Sequence, residues 1–363
     1  MRRFFWPAAS PLWLALAAAP AAAVQLDTLP GIDEPPAAGG RWHLEVGHDI
    51  ARPLGRWVGS DREAATVERI ALSGRQGAWQ AGVSLQDMTL HDGADLYRLR
   101  GWDGWLRWHL PPVGRESSDA AEPSGAMRWA LQLGAWGHQA DRLSQTTRGS
   151  LKVSGLNAQL TRFDVERPRD RQWQIDLLGQ RALPWPGLEA GIVAGAGRSQ
   201  VSNTALGGSA RIGLCTHEIT FGRQSLVATP GEDCERAFII SVPNRLLKFD
   251  VYRETNYRAS FLHLGAALHW RTGAWRLAAG ADLQHWSRPG LDDLSSVRTP
   301  VDRVVTLAAR VARDLDPDTQ VALQVRHADH RLVGEVPLLY TARTASRFST
   351  RQTQIELTLG HRF

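Results

Sequence analysis

Lysine, cysteine and long apolar runs are all scarce in this chain of 363 residues. Among its 42 basic residues only Lys152 and Lys248 are lysines, so nearly all of the positive charge is arginine. After residue 23 no stretch approaches the ~18–20 consecutive apolar residues of a membrane-spanning helix. Two cysteines, Cys215 and Cys234, are too few for a familiar four-ligand zinc site. We therefore expect no bundle of transmembrane helices, no metal and no cofactor.

The basic residues do not indicate a nucleic-acid partner, although the formal charge is +5 at pH 7. The arginines are scattered along the chain rather than gathered into one basic patch. Their preference over lysine can reflect a genome rich in GC. Alternatively, arginines spaced along the inner faces of strands would give a positive lumen that favours anionic solutes.

The first 23 residues have the three parts of a secretory signal peptide. Arg2 and Arg3 form the basic part, residues 4–19 are mostly apolar, and the small residues 21–23 provide a cleavage site. Residues 24–40 are rich in proline and glycine and show no periodicity, which predicts a periplasmic leader. An exported chain meets an oxidising compartment, so we expect Cys215 and Cys234 to form a disulfide. Two unrelated thiols are the alternative.

From residue 41 to residue 363 the chain alternates apolar and polar residues in segments of about ten, which is typical of a transmembrane β-barrel. The even positions from Leu262 to Trp270 are apolar, and a short turn at 271–274 leads into a second alternating segment from Trp275. Short connections at 271–274 and 314–318 alternate with long ones at 287–302 and 332–350. A soluble antiparallel sandwich would also alternate, but it would not explain this rhythm of connections.

The fold prediction is therefore an all-β, antiparallel transmembrane barrel with short periplasmic turns and long extracellular loops. We expect an even number of strands, about fourteen, within a range of about 12–16. The parity of the apolar residues changes near Gly101 and Gly104 and again near Gly155, where either a glycine bulge or a turn would explain it. Residues 216–259 are either one large external loop or a loop that contains a hairpin.

The final strand ends on an aromatic residue that is also the last residue of the chain. Ile355, Leu357, Leu359 and Phe363 share its apolar face. This ending resembles that of Gram-negative outer-membrane β-barrels. The resemblance implies an outer-membrane location, contact with outer-membrane lipids, and an assembly signal read by the barrel-assembly machinery. The last hundred residues are also similar to the terminal barrels of exporters for exopolysaccharides and surface lipoproteins. In those families a periplasmic helical-repeat region precedes the barrel, and residues 24–40 are too short to contain one, so an export role would require a separate periplasmic export partner.

Polar residues on the opposite face of the C-terminal strands are the candidate lumen-lining set. They could pair across the wall and brace it, or they could shape the electric field of a conduit. His263 and His269 should also face the lumen, about 20 Å apart along one extended strand. The ten candidates are Arg276, Asp282, Gln284, Arg310, Gln320, Gln324, Arg326, Gln354, Glu356 and Arg362.

No catalytic residues are predicted. His327, Asp329 and His330 cluster near the outer end of a strand, but successive odd and even positions of a strand point to opposite faces. A polar rim is the simpler interpretation. We expect a pore or an export and transport conduit with a polar, arginine-rich lumen. The alternatives are a structural or adhesive surface barrel that binds partners through its long loops, and an outer-membrane hydrolase.

Overall fold

Strands make up most of the residues that the structure describes, as the period of two predicts. The computed structural model describes residues 42–50, 65–92, 95–111, 127–153, 156–234, 238–246, 250–290, 301–339 and 352–363. The predicted signal peptide and the leader at 24–40 lie outside these residues and stay predictions. No helix within the described ranges has the length and apolar content needed to cross a membrane.

The described residues contain eighteen strands and two short α-helices. The strands are β1 Trp42–Asp49, β2 Ala65–Gln76, β3 Trp79–Asp92, β4 Asp95–His109, β5 Met127–Gln139, β6 Arg142–Val153, β7 Leu156–Glu166, β8 Arg169–Ala182, β9 Leu188–Ser202, β10 Ala205–Ile212, β11 Cys215–Phe221, β12 Ser225–Pro230, β13 Ile240–Pro243, β14 Tyr257–Thr272, β15 Trp275–Ser287, β16 Arg303–Asp314, β17 Thr319–Ala328 and β18 Gln352–Arg362. The helices are α1 Val251–Thr255 and α2 Arg331–Gly334, with 3₁₀ turns at Asn244–Leu246 and Pro337–Leu339.

Twelve of the strands close into a barrel in the order β1-β18-β17-β16-β15-β14-β9-β8-β5-β4-β3-β2. All the pairings around this ring are antiparallel, and β1 pairs with β18 to close it. At the seam, the backbone N–H of Trp42 donates to the carbonyl of Phe363, and the N–H of Phe363 donates to the carbonyl of Trp42, each at 3.0 Å. The predicted all-β transmembrane barrel is confirmed.

The barrel wall is apolar outside and mostly polar inside. On β14, Leu262, Leu264 and Trp270 are exposed on the outer face, whereas Phe261 and His263 on the other face are buried. Because no water reaches the bilayer core, only helices and closed barrels can satisfy every backbone group there. An exposed apolar band on a closed barrel is therefore a lipid-facing surface.

The expected strand number of about fourteen is slightly too high, because six strands form a separate sheet in the order β13-β12-β11-β10-β7-β6. Ala210 and Ile212, which alternate with polar residues as a wall strand would, belong to β10 in this sheet. Residues 216–259 contain the antiparallel pair β11–β12, so the loop with a hairpin is the correct alternative there. The sheet alternates as the wall does, and periodicity alone does not separate the two.

The second sheet continues three strands of the wall beyond the barrel. The β5–β8 ladder reaches Gln139↔Arg169, and the β6–β7 ladder begins at Arg142↔Glu166, with only residues 140–141 and 167–168 between them. β9 continues in the same way into β10, which pairs with β7. Since β5 and β9 run away from the end of the barrel where Trp42 pairs with Phe363, the sheet projects from the opposite mouth, which we take as the outer one.

The two changes of parity have different causes. β4 keeps an unbroken register with both of its neighbours through Gly101 and Gly104, so neither a bulge nor a turn is present. Tyr97 and Leu99 are instead apolar residues buried on the inner face, while Trp108 lies on the outer face. Near Gly155, β6 ends at Val153 opposite Leu156 of β7, as the turn interpretation predicted.

Short and long connections between strands alternate around most of the wall. The connections 183–187, 273–274 and 315–318 are short at the periplasmic end, whereas 288–302 and 329–351 are long at the outer end. Two connections break the rhythm, because 93–94 is short at the outer end and 110–126 is long at the periplasmic end.

Candidate functional site: the barrel interior and its outer mouth

The ten candidate lumen residues lie on the inner faces of β15, β16, β17 and β18. Eight of them are at most 8% exposed, whereas Arg276 and Arg362 at the periplasmic end are intermediate. The eight are Asp282, Gln284, Arg310, Gln320, Gln324, Arg326, Gln354 and Glu356. So little exposure means that neighbouring side chains, rather than an open water column, surround them in this state.

A charged cluster joins opposite sides of the barrel seam. The Glu45 carboxylate on β1 accepts hydrogen bonds from the guanidiniums of Arg69 on β2 and Arg310 on β16. Arg69 Nε also donates to Glu356 Oε1 on β18 at 3.0 Å. A Cβ at Gly47 would lie only 1.8 Å from Glu356 Oε1, so this position must be glycine for the carboxylate to reach Arg69. The cluster therefore depends on the small residue beside it.

A second cluster surrounds His263. Its Nε2 lies 2.8 Å from Asp176 Oδ1, and its Nδ1 lies 3.0 Å from Asp282 Oδ1. Asp176 also accepts hydrogen bonds from the side-chain amides of Gln132 and Gln174. His263 is thus held between two carboxylates and does not stand alone on the wall.

The periplasmic end of the interior is organised around Asp314. Its carboxylate accepts hydrogen bonds from Arg276 Nη2 at 3.0 Å, from Gln320 Nε2 at 3.2 Å and from Arg362 Nη2 at 3.4 Å. The arginines expected to give a positive lumen therefore have carboxylates beside them, both here and at Glu45. This pairing favours an interior of balanced charge.

An inward-folded segment closes the outer mouth. Residues 333–339, at the end of α2 and in the following 3₁₀ turn, are all buried. Val333, Val336, Leu338 and Leu339 pack in one apolar cluster with wall residues that include Trp136 and Phe261. We call residues 331–339 the plug segment. Because it lies between β17 and β18, the long loop predicted there turns into the barrel rather than away from it.

Polar contacts also hold the plug segment against the wall. Tyr257 Oη on β14 donates to the carbonyl of Pro337 at 2.5 Å. Arg326 Nη2 on β17 lies 2.7 Å from Glu335 Oε1, and both side chains are 6% exposed. Arg326, a candidate lumen residue, therefore binds the plug segment.

The sequence analysis did not single out several residues of the interior clusters and of the outer mouth. Glu45 and Arg69 fall on the polar parity of their strands, so the alternation could have found them. Trp136, Phe261 and Trp286 could not be found in this way, because they are apolar residues on the inner face. Their burial reflects the plug segment, whose position no periodicity predicts.

The residues considered for catalysis lie at the outer rim and have structural contacts. His327 Nδ1 is 2.9 Å from Thr353 Oγ1 on the neighbouring strand. Asp329 Oδ1 accepts a hydrogen bond from the backbone N–H of Val305 at 2.9 Å. His327 and Asp329 thus support strand ends, in keeping with the polar-rim interpretation.

Cys215 and Cys234 form a disulfide with a Cα–Cα distance of 5.3 Å in the second sheet. His217 Nδ1 is 3.9 Å from Cys215 Sγ, and the three side chains have the proximity of a metal site. Both sulfurs are joined to each other, however, so neither is a thiolate able to bind a metal. The disulfide links the first residue of β11 to the segment that follows β12.

The outer surface of the second sheet carries a ladder of charges. Asp164 on β7 accepts hydrogen bonds from Ser144 Oγ at 2.6 Å and from Arg162 Nε at 2.8 Å, and it lies 2.7 Å from Arg142 Nη2. Burial raises the pKa of Asp164, but these hydrogen bonds and charges outweigh it and hold the pKa below its ordinary value. Asp164 therefore stays ionised at neutral pH.

The closed antiparallel wall, apolar outside and polar inside, defines the protein as an outer-membrane β-barrel. No protein-family model matches the chain, and no curated protein is significantly similar in sequence.

Solved structures of similar shape are outer-membrane barrels. The translocator domain of the autotransporter NalP from Neisseria meningitidis is 9% identical, with a TM-score of 0.43, over 93% of this chain and 91% of that one. LpxR from Salmonella typhimurium is 8% identical, with a TM-score of 0.41, over 88% of this chain and 99% of that one. The NanC porin is 9% identical, with a TM-score of 0.40, over 88% and 99%. At these values the likeness is one of general shape.

Proposed function

We propose that the protein is a gated outer-membrane conduit whose resting state is closed by the plug segment. The observation that carries this proposal is the contrast between the two parts of the interior. Charged clusters occupy the seam and the periplasmic end, and the apolar plug segment fills the outer mouth. Buried ion pairs are seldom better for stability than well-packed apolar residues. A polar interior beneath a removable apolar seal is suited to a path that fills with water when the seal moves.

The contacts of the plug segment favour a gate over a permanent core. Its contacts with the wall include an apolar cluster, the Arg326–Glu335 ion pair and the Tyr257 hydrogen bond, and the described part of the segment contains no strand of the sheet. A segment held by side-chain contacts can leave without breaking the wall's hydrogen bonds. Since carboxylates accompany the interior arginines, the open path should show weak selectivity between anions and cations.

Planar-bilayer conductance of the refolded protein tests this proposal. Leu338→Asp places a charge in the apolar cluster at a side chain that is 7% exposed, which should expel the plug segment. The wild type should be silent or open rarely, and the variant should give steady conductance steps. Leu246→Asp is the matched control, because Leu246 lies in the 3₁₀ turn after β13, is 56% exposed, and should leave conductance at the wild-type level when replaced.

The other outcomes are informative. A Leu338→Asp barrel that inserts correctly but stays silent would contradict the conduit. A wild type with steady conductance would contradict closure by the plug segment. Insertion is checked by the shift in gel mobility between heated and unheated protein.

A structural or adhesive surface barrel is the second candidate, and the external sheet favours it. Leu214, in the turn between β10 and β11, is 92% exposed, and Phe238 and Ile239, directly before β13, are 77% and 70% exposed. Adjacent exposed apolar side chains such as Phe238 and Ile239 are typical of interaction surfaces. Loss of surface binding after Phe238→Ser and Ile239→Ser, with a silent Leu338→Asp variant, would favour this function.

A further inference from the structure

Three neighbouring wall strands carry arginines on their lipid-facing side near the outer end. Arg171 on β8, Gln200 on β9 and Arg258 on β14 are in register, so they form one row across the wall. Arg198 lies one row closer to the periplasm, between Trp173 and Ser260. Adjacent strands are about 4.8 Å apart, so the three guanidiniums surround an area the size of one headgroup.

None of these three arginines has a hydrogen bond or an ion pair with the residues that the structure describes. Aspartate and glutamate are also missing from the outer faces of β8, β9 and β14 as described. The interior arginines contrast with this, since Arg69 and Arg310 both bind carboxylates. Three exposed cations side by side repel one another and need an anion from outside the chain.

The apolar band begins directly below the arginines. Going toward the periplasm, the next row joins Ile175, Ala196 and Leu262, and the row after it joins Leu177, Ala194 and Leu264. Ile175 is 51% exposed, and Leu262 and Leu264 are each 63% exposed on the outside of the wall. If the arginines bound the anionic group of a ligand, the part of that ligand on the periplasmic side of the group would therefore lie against an apolar surface.

A cavity of about 390 Å³ adjoins the Arg258 end of this row. It lies where the outer ends of β9 and β14 meet α1 and the connection after β15. Arg253 on α1 is held there by a hydrogen bond of 2.9 Å from its Nη2 to the carbonyl of Gly290. The cavity thus adds a concave polar surface to the row of arginines. Its polar lining includes Gln200, Ser202, Arg253, Asn256 and Arg258.

We propose that this surface, the arginine rim, binds the phosphorylated headgroup of a glycolipid in the outer leaflet. Guanidiniums pair with phosphate oxygens through two parallel, charge-assisted hydrogen bonds. The acyl chains of the same lipid would cover the apolar band below, which a free phosphate ion could not do. The inference rests on the membrane wall and is independent of whether the barrel conducts.

Native mass spectrometry in neutral detergent tests the arginine rim. The probes are lipid A, a diphosphorylated glucosamine disaccharide with acyl chains, and the same lipid after removal of its phosphates. The wild type should bind the phosphorylated probe about tenfold or more tightly than the dephosphorylated one, because charge-assisted bonds supply the difference. The combined variant Arg171→Gln, Arg198→Gln and Arg258→Gln should lose this preference.

Arg181→Gln is the matched control. Arg181 lies on the outer face of the same strand, β8, but at its periplasmic end. This variant should bind the phosphorylated lipid as the wild type does. If the triple variant folds poorly, as shown by gel mobility without heating, Arg198→Gln alone should still weaken binding.

Three results would overturn the proposal. The first is equal binding of the two lipids to the wild type. The second is undiminished binding by the folded triple variant. The third is complete displacement of the lipid by inorganic phosphate at equal concentration, which would indicate a simple anion site in place of a lipid site.

Discussion

Single charged side chains decide how the barrel interior is held together. Glu45 touches arginines from two different strands, and its carboxylate is nearly inaccessible to water. Charges removed from water are costly unless each has its partners. The interior therefore behaves as a set of mutually dependent contacts, in which one substitution leaves a buried charge without compensation.

Replacing Glu45 with Gln should destabilise the barrel by about 3 kcal/mol, because Arg69 and Arg310 would both lose a negative partner in a buried site. Urea unfolding of the refolded protein in lipid vesicles, followed by tryptophan fluorescence, measures this change.

Glu189→Gln is the matched control for that measurement. Glu189 accepts a hydrogen bond of 2.9 Å from Arg128, and the two side chains are 28% and 48% exposed. Exposed pairs contribute roughly 0–1 kcal/mol. Equal losses in the two variants would show that water screens the Glu45 cluster as it screens the surface pair.

At the scale of elements, the second sheet has its own apolar core. Leu206, Ile219 and Leu226 belong to a buried cluster separate from that of the outer mouth. Phe163 and Phe221 meet edge to face, with ring centroids 5.7 Å apart, although β10 lies between their strands. Gly208 on β10 lies opposite Phe163, so no side chain at that position separates the two rings.

Removing the disulfide should loosen this sheet and leave the barrel unchanged. Cys215 and Cys234 are separated by 19 residues, and closing a loop of that length stabilises by about 3 kcal/mol in the chain-entropy account. In the double variant Cys215→Ser and Cys234→Ser, trypsin should cut faster at Arg223, which lies between β11 and β12.

The wild type treated with a reducing agent should match that double variant, since both lack the same bond. The wall should retain its urea midpoint in both. Unchanged cleavage at Arg223 in the double variant would mean that packing alone holds the hairpin.

Alternation predicted the elements but not their grouping. Apolar and polar residues alternate with a period of two both in a strand between lipid and lumen and in a strand of an external sheet with one buried face. The sequences of β7 and β10 therefore resembled those of wall strands. The inner polar face of β15 to β18 was predictable, because lipid forbids polar residues on the other side. The plug segment was not, because its burial comes from contacts with strands that are distant in sequence.

At the scale of the whole molecule, the last residue of the chain helps to close the ring. Phe363 exchanges two backbone hydrogen bonds with Trp42, at the start of the first wall strand. Phe363 is 63% exposed, Leu359 55% and Leu357 46%, whereas Ile355 is buried. The role of these four residues as an assembly signal stays a prediction.

Deleting Phe363 should lower the amount of protein in the outer membrane. Both the predicted signal and one backbone pair of the seam would be lost. Quantitative immunoblotting of outer-membrane fractions measures the effect. Phe363→Tyr, which keeps an aromatic end and the backbone pair, should retain near-normal levels. Unchanged levels after the deletion would contradict the importance of this residue.

Three wall strands pass from the membrane into the external sheet with only two residues between the paired segments. Such a junction has no flexible tether, so a force or torque applied to the sheet acts directly on β5, β8 and β9. A rigid fluorophore attached to β11 would therefore report the tilt of the barrel itself. The external sheet is in this sense a lever arm. A partner that binds it at the cell surface would transmit force to β5, β8 and β9, which lie on one side of the wall.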